Sequence, residues 1–277
     1  MKARIKFQKF GAMKFIGHLD VMRYFQKAFR RANIDNEYTK GFSPHQIMSF
    51  AAPLGVGLTS DAEYLDVQLL SSDSPEIMVQ RLNTVLTEGF RVIDFHPLLE
   101  PEFNQRVVTA MSLVSSADYI VSLKDGYTIG EDIKTQAAFE KAFSDFFQKQ
   151  EIIIGKKTKN SEKEVDIKPM ISLIAFHESE YQTKLRETLS ETALELNSIE
   201  TGKKVDSSAD VYENGIRLYL QIDTGSSANL KPELVLEAFY EELGIIFEKY
   251  AWQVHRLEVY TKDPETGKLS ALNQVER

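Results

Sequence analysis

Cysteine is absent from this sequence of 277 residues, and glycine and proline are scarce, with 14 and 8 residues. Without cysteine the chain can form no disulfide, thiolate nucleophile, zinc–thiolate site or cysteine-ligated iron–sulfur cluster. The low glycine and proline content argues against long disordered tracts. The missing cysteine also fits a reducing compartment.

Long apolar segments are missing as well. The N-terminal residues contain no apolar stretch typical of a secretory signal, and the apolar run at residues 171–176 is far too short to cross a bilayer. We therefore expect a cytoplasmic protein without membrane contact. The composition, 43% hydrophobic and 27% charged, is that of a globular chain long enough for two domains.

The charge is unevenly distributed along the chain. The formal net charge is −8, yet residues 1–60 carry ten Lys and Arg against three acids and are therefore basic, at +7. The remaining residues carry the acidic excess. This asymmetry indicates either an anionic partner for the first segment or docking of that segment on the acidic remainder.

Apolar periodicity predicts an α+β fold in the first hundred residues. Strands and helices follow in the order β-α-β-β-α-β, which is the split β-α-β arrangement of ferredoxin-like folds. The helices are expected over residues 18–33 and 75–88, and the last strand is expected to end before Pro97. The apolar face of the first helix is predicted to consist of Leu19, Met22, Phe25, Phe29 and Ala32.

The second half is less regular but ends in the same strand–helix–strand pattern. Residues 178–213 show no clear apolar periodicity. Residues 152–154 and 165–176 are predicted to form a hairpin with a charged tip. We expect two ferredoxin-like halves with antiparallel sheets. Residues 1–105 form the N-terminal half, residues 115–262 the C-terminal α+β half, and residues 263–277 a polar tail.

Four cations share one face of the first predicted helix: Arg23, Lys27, Arg30 and Arg31. No acid is interleaved between residues 23 and 34, so these side chains repel one another and add little stability. Contact with phosphate groups would relieve this repulsion. The alternatives are a solvated face, or pairing with acids elsewhere in the chain.

Residues 40–46 are predicted to form a rigid, exposed loop, because Gly41 permits unusual backbone angles and Pro44 restricts its neighbour. An aromatic side chain with basic residues beside it could stack on a nucleobase. Lys40, Phe42 and His45 are therefore candidates for RNA binding. The alternative is a β-bulge with Phe42 in the core, and for Phe42 the sequence favours this alternative.

Candidates for acid–base chemistry are few. His18, His45 and Glu63 are the only ones we single out, and no known catalytic or metal-binding motif is present. For His18 the sequence favours a role at the start of the helix. Catalytic residues therefore stay unassigned, and we expect no metal and no cofactor.

Several motifs follow one another over the first 70 residues: Phe15-Ile16-Gly17-His18-Leu19-Asp20, Arg30-Arg31-Ala32, Gly41-Phe42-Ser43-Pro44-His45 and Pro53-Leu54-Gly55-Val56-Gly57, then Ser60 and Glu63. This series resembles the radical SAM-linked protein family of bacteria, a domain of unknown function. One departure is Gln46, which stands where the family pattern has Pro.

The resemblance implies a partner. Family members are fused to, or encoded beside, radical SAM proteins, and neighbouring genes concern RNA processing and ribosomal proteins. A radical SAM enzyme needs a Cys-x-x-x-Cys-x-x-Cys motif, so this cysteine-free chain can only be the linked partner. We expect a non-catalytic accessory module that binds tRNA or rRNA. A protein–protein adaptor without RNA binding comes second, and an enzyme acting on RNA or a phosphate ester through His18 or His45 comes third.

Overall fold

The computed structural model of the chain describes residues 1–99, 108–157, 162–200, 206–225 and 228–275. The described chain divides into two compact units. The first comprises Met1–Ser115, Leu189–Ala209 and Arg256–Arg277, and the second comprises Ser116–Thr188 and Asp210–His255. The first unit therefore takes in two later segments that the sequence pattern assigned to the C-terminal half and the polar tail.

The described residues form, in chain order, the strands and helices β1 (Lys2–Lys9), α1 (His18–Arg31), β2 (Met48–Phe50), β3 (Thr59–Gln68), α2 (Pro75–Val85), β4 (Phe90–Leu98), α3 (Ala110–Leu113), β5 (Ser116–Leu123), α4 (Gln136–Phe147), β6 (Ile153–Lys157), β7 (Glu162–Asp166), β8 (Ile171–Ala175), α5 (Glu178–Thr188), α6 (Glu191–Glu200), β9 (Arg217–Asp223), α7 (Pro232–Glu242), β10 (Trp252–Lys262) and β11 (Leu269–Ala271).

The first unit has the succession of strands and helices that the sequence predicts. Its strands lie in the order β4-β1-β3-β2, and each neighbouring pair is antiparallel. Helix α1 joins β1 to β2, and α2 joins β3 to β4. This is the split β-α-β topology of a ferredoxin-like fold, so the predicted class is confirmed.

Alternation along β1 separates an apolar face from a polar one. Ala3, Ile5 and Phe7 are buried in the core together with Phe25 and Phe29 of α1. Because successive side chains of a strand point to opposite faces, the residues between them lie on the other side of the sheet.

The polar face of β1 is satisfied by side chains from distant segments. The wholly buried Arg4 donates from Nε to Asp66 Oδ1 at 2.7 Å and from a terminal nitrogen to the carbonyl oxygen of Leu272 at 2.7 Å. Lys6 Nζ donates to Glu258 Oε2 at 2.5 Å, and the other oxygen of Glu258 accepts from the Tyr64 hydroxyl at 2.6 Å. Buried charges need such partners, so the N-terminal strand requires the last segment of the chain.

Helix α1 buries a different stripe from the predicted one. Val21, Phe25, Ala28 and Phe29 face the core, whereas Leu19 is 60% exposed. The helix begins at His18, and Leu19 lies in its first turn about 200° around the axis from Val21. The prediction for Leu19 was therefore wrong, while Phe25, Phe29 and Ala32 are buried as expected.

The second unit repeats the same topology. Its strands lie in the order β10-β5-β9-β8, with only residues 252–255 of β10 belonging to this unit, and β9 is antiparallel to both β5 and β8. Helix α4 follows β5, and α7 joins β9 to β10. Phe139, Phe143 and Phe239 form the centre of its core, with ring centroids 5.1–5.7 Å apart.

Two insertions explain why the pattern of this half is less regular. Strands β6 and β7 pair with each other as a separate two-stranded sheet, and the tip of their hairpin at residues 158–161 lies outside the described residues. The predicted second arm, residues 165–176, is two strands, β7 and β8, separated by a turn of 3-10 helix. The region that gave no clear pattern contains α5 and α6.

Two further boundaries differ from the prediction. Pro97 lies within β4 opposite Ala3, and β4 is an edge strand, where proline is tolerated. The segment predicted to be a polar tail forms β11 against β10, and Leu272 beyond it is fully buried. Among the described residues, no helix is both long enough and apolar enough to cross a membrane.

Gly89 supplies a test of the packing in the first unit. Its φ is +97°, and a Cβ there would lie 2.5 Å from Met13 Cγ and 2.9 Å from the carbonyl oxygen of Phe10. We expect Gly89→Ala to lower the free energy of unfolding by about 1–3 kcal/mol, because both the backbone angle and the contact are unfavourable. Urea denaturation measures this.

The matched control is Gly55→Ala. A Cβ at Gly55 would meet only Leu58 Cδ1 at 3.9 Å, an ordinary contact. This variant should stay within about 0.5 kcal/mol of the wild type. Equal stability of the two variants would contradict the packing described at Gly89.

Candidate nucleic-acid interface

The cations of α1 differ in what they contact. Arg23 lies 3.3 Å from Asp20, one turn away, and both side chains are about two-thirds exposed. A pair this exposed contributes little to stability, because water and salt screen it. Arg23 therefore remains able to exchange its partner for another anion.

Arg31 is held in place by its own unit. Its guanidinium donates to the carbonyl oxygen of Val85 at 3.1 Å and lies 5.7 Å from the ring centroid of Tyr24. Val85 is the last residue of α2, where carbonyl groups lack intrahelical partners and attract cations. Arg31 thus joins α1 to α2, a structural role that the charge pattern alone did not indicate.

Lys27 and Arg30 are the two remaining cations of the helix. Both are exposed, and neither has an ion pair or side-chain hydrogen bond within the part of the chain that the structure describes. They lie three positions apart, so they share one side of the helix and repel each other. The predicted basic face is therefore reduced to two uncompensated cations, with Arg23 beside them.

The loop of residues 39–45 is fastened at its two ends. The backbone N–H of Thr39 donates to the carbonyl oxygen of His45 at 2.9 Å, and the N–H of His45 donates to Thr39 Oγ1 at 3.1 Å. The imidazole Nδ1 of His45 lies 3.1 Å from the same hydroxyl and 3.3 Å from the carbonyl oxygen of Ser43. His45 therefore helps to hold the loop closed.

The tip of this loop consists of exposed side chains. Phe42 is fully exposed, and Lys40 is exposed without an ionic partner among the described residues. Gly41 adopts φ +124°, a backbone angle that favours glycine. The β-bulge interpretation, which buries Phe42 in the core, was wrong.

His18 and Glu63 share a small cavity in the first unit. It has a volume of about 10 Å³, and Lys9 and Phe50 also line it. A cavity of this size holds about one water molecule. The ring of His18 meets Phe50 edge-on at 5.0 Å. His45 does not line the cavity, so the three candidate acid–base residues are not brought together.

Glu63 forms an ion pair with Arg256 that the sequence could not reveal. Both side chains are about 95% buried, and Arg256 also donates to the carbonyl oxygen of Ala52 at 2.6 Å. Lys9 is buried nearby and donates to the carbonyl oxygen of Ile16 at 3.2 Å. Burial lowers the pKa of Lys9, and Arg256 lowers it further, against the opposing effect of Glu63.

Lys9, Glu63 and Arg256 all make their contacts within the first unit. A lysine in phase with the core residues Ile5 and Phe7 was the available sign that Lys9 is buried, whereas nothing in the sequence associates Arg256 with Glu63. Within the described ranges, no group of three or more His, Asp and Glu side chains could hold a metal ion.

One comparison with known proteins identifies the family of the chain. Residues 2–232 match the bacterial family described as "Uncharacterized protein conserved in bacteria (DUF2344)". The match covers more than half of the chain, so the chain belongs to this family. A search of curated proteins gave no match.

Replacing Glu63 tests whether the buried pair is structural. Glu63→Ala would leave the guanidinium of Arg256 buried without its counter-charge, so we expect a loss of about 3–5 kcal/mol in the free energy of unfolding. Denaturant unfolding followed by circular dichroism measures it. The control is Asp20→Ala, which removes an exposed pair and should change stability little. A Glu63 variant as stable as this control would contradict the structural role.

Proposed function

We propose that the chain is a non-catalytic module that binds RNA through the first unit. The contact surface consists of Arg23, Lys27 and Arg30 on α1 and of the loop carrying Lys40 and Phe42. The observation that carries the proposal is that Lys27 and Arg30 have no ionic partner in the described structure, although the whole chain contains 41 acids.

Phosphate groups are the partner that this surface chemistry fits. Like charges on one helix side cost free energy in isolation, and a phosphate backbone removes that cost while releasing its own counterions. The segment that carries the loop also favours an anion, because residues 38–60 contain no Asp or Glu. The net charge of the chain is therefore a poor guide to the surface that would meet RNA.

We further propose that the module presents tRNA or rRNA to a radical SAM protein. This part rests on the motif resemblance in the first 70 residues. It also rests on the lack of cysteine, which requires any iron–sulfur chemistry to be supplied by another chain. Catalysis by His18 or His45 has less support, because His45 lies apart from the cavity that contains His18 and Glu63.

A protein–protein adaptor is the second candidate, favoured by a different observation. Phe15, Leu19 and Val56 are 60–67% exposed. Phe15 and Leu19 flank the start of α1, and Val56 precedes Gly57, whose N–H donates to the carbonyl oxygen of Lys14 at 2.7 Å. Exposed apolar side chains of this kind are suited to a protein partner. An adaptor would bind its partner there and would not bind RNA.

The test is a titration of purified full-length protein into labelled tRNA, followed by fluorescence anisotropy at about 50 and about 200 mM salt. We expect wild-type affinity to fall steeply with salt. The double variant Lys27→Glu, Arg30→Glu should bind more weakly at both concentrations, with a salt slope lower by about two, one for each lost phosphate contact.

The matched control makes the same change of charge in the second unit. Lys134→Glu, Lys141→Glu replaces two exposed lysines at α4. This control should bind tRNA like the wild type if the location of the charge matters. If only the net charge matters, it should bind tRNA as weakly as the α1 variant. No binding of tRNA by the wild type at the lower salt would overturn the proposal and favour the adaptor.

A further inference from the structure

Phe42 is exposed to an extent that is unusual for a phenylalanine. Its ring lies fully in solvent, although burying such a side chain is worth about 1.5–3 kcal/mol. The two ends of the loop are fastened through Thr39 and His45, and Pro44 restricts the backbone between them. The loop therefore presents an aromatic ring to solvent at a defined position.

The chemistry around the ring selects among possible partners. Lys40 is exposed two residues before it, Ser43 is exposed beside it, and the nearest acid along the chain is Glu37. A purely apolar partner would gain nothing from the neighbouring cation. A nucleotide offers both a flat base for the ring and a phosphate for the ammonium group.

From this arrangement we infer that Phe42 stacks on an unpaired nucleobase, so that the RNA bound by this module has a single-stranded segment, loop or end. The inference rests on the proposed function and specifies its substrate class. In a duplex, both faces of each internal base are already stacked, and a phenylalanine ring has no open face to meet. Phosphate contacts from α1 would hold duplex and single-stranded RNA alike.

The same geometry assigns different tasks to the loop residues. Phenylalanine has no hydrogen-bonding group, so stacking on it tolerates any base. His45 is a positioning residue, since its Nδ1 already faces Thr39 Oγ1 and the carbonyl oxygen of Ser43. Lys40 is left as the phosphate contact of the loop. Selectivity at this loop is for open bases and not for a sequence.

The experiment compares three labelled RNAs of equal length with the full-length protein: a single strand, a hairpin with an unpaired loop, and a blunt duplex. Phe42→Ala should weaken binding of the single strand and the hairpin by about fivefold to hundredfold, the range expected for one lost stacking contact. Binding of the duplex should change less than twofold. Phe15→Ala is the control, because it removes an exposed phenylalanine elsewhere in the same unit.

Two further variants separate stacking from apolar contact. Phe42→Leu keeps an apolar side chain but should lose affinity as Phe42→Ala does. Phe42→Trp should retain the affinity for the single strand, and binding of that strand should quench the fluorescence of the new tryptophan. The chain has one other tryptophan, Trp252, which is buried and supplies a constant background.

The outcomes distinguish this inference from the proposed function. If Phe42→Ala binds all three RNAs like the wild type, or loses duplex as strongly as single strand, the stacking inference is overturned while RNA binding stands. If the wild type binds none of the three RNAs at low salt, the proposed function itself fails.

Discussion

Buried cations on the central strand of the first unit impose the main constraint on this structure. Arg4 has no exposure to water, so its guanidinium must be matched by acceptors within the protein. Asp66 supplies two of them from the neighbouring strand, and the carbonyl of Leu272 supplies another from near the other end of the chain. Lys6 is matched in the same way by Glu258. The first unit is therefore built from segments that lie far apart in the sequence.

The use of cations inside the protein reduces the number that the candidate interface can offer to an anion. Arg4, Lys6 and Lys9 of β1 bind acceptors within the protein, as does Arg31 of α1. The basic character of the first 60 residues is thus partly structural, and only a subset of those cations faces solvent without an acid nearby. A count of charges overstates the size of the surface available to an anion, although it identifies the segment in which the exposed cations lie.

Local patterns predicted the topology well. Alternation in β1, helical spacing in α1 and the start of α2 at Pro75 reflect short-range physics, and two ferredoxin-like halves follow from them. The buried stripe of α1 was predicted only in part: Phe25 and Phe29 are buried as expected, but in the first turn Val21 is buried in place of Leu19.

Long-range contacts were beyond the sequence. Nothing near Glu63 indicates Arg256, which lies 193 residues away, and nothing near residue 269 indicates that it pairs with β10. The exposure of Phe42 was also mispredicted, because an aromatic residue between turn-forming neighbours is compatible with either a core position or a loop tip. Only the hydrogen bonds between Thr39 and His45 decide between these two.

The dependence of β1 on Glu258 and Leu272 has a consequence for the order of events during synthesis. A ribosome releases the chain from its N-terminus at about 5–20 residues per second. All segments of the second unit, which end at His255, emerge before the residues that neutralise Lys6 and complete the shell around Arg4. Strand β1, although made before all of these partners, therefore waits for them until nearly all of the described chain has emerged.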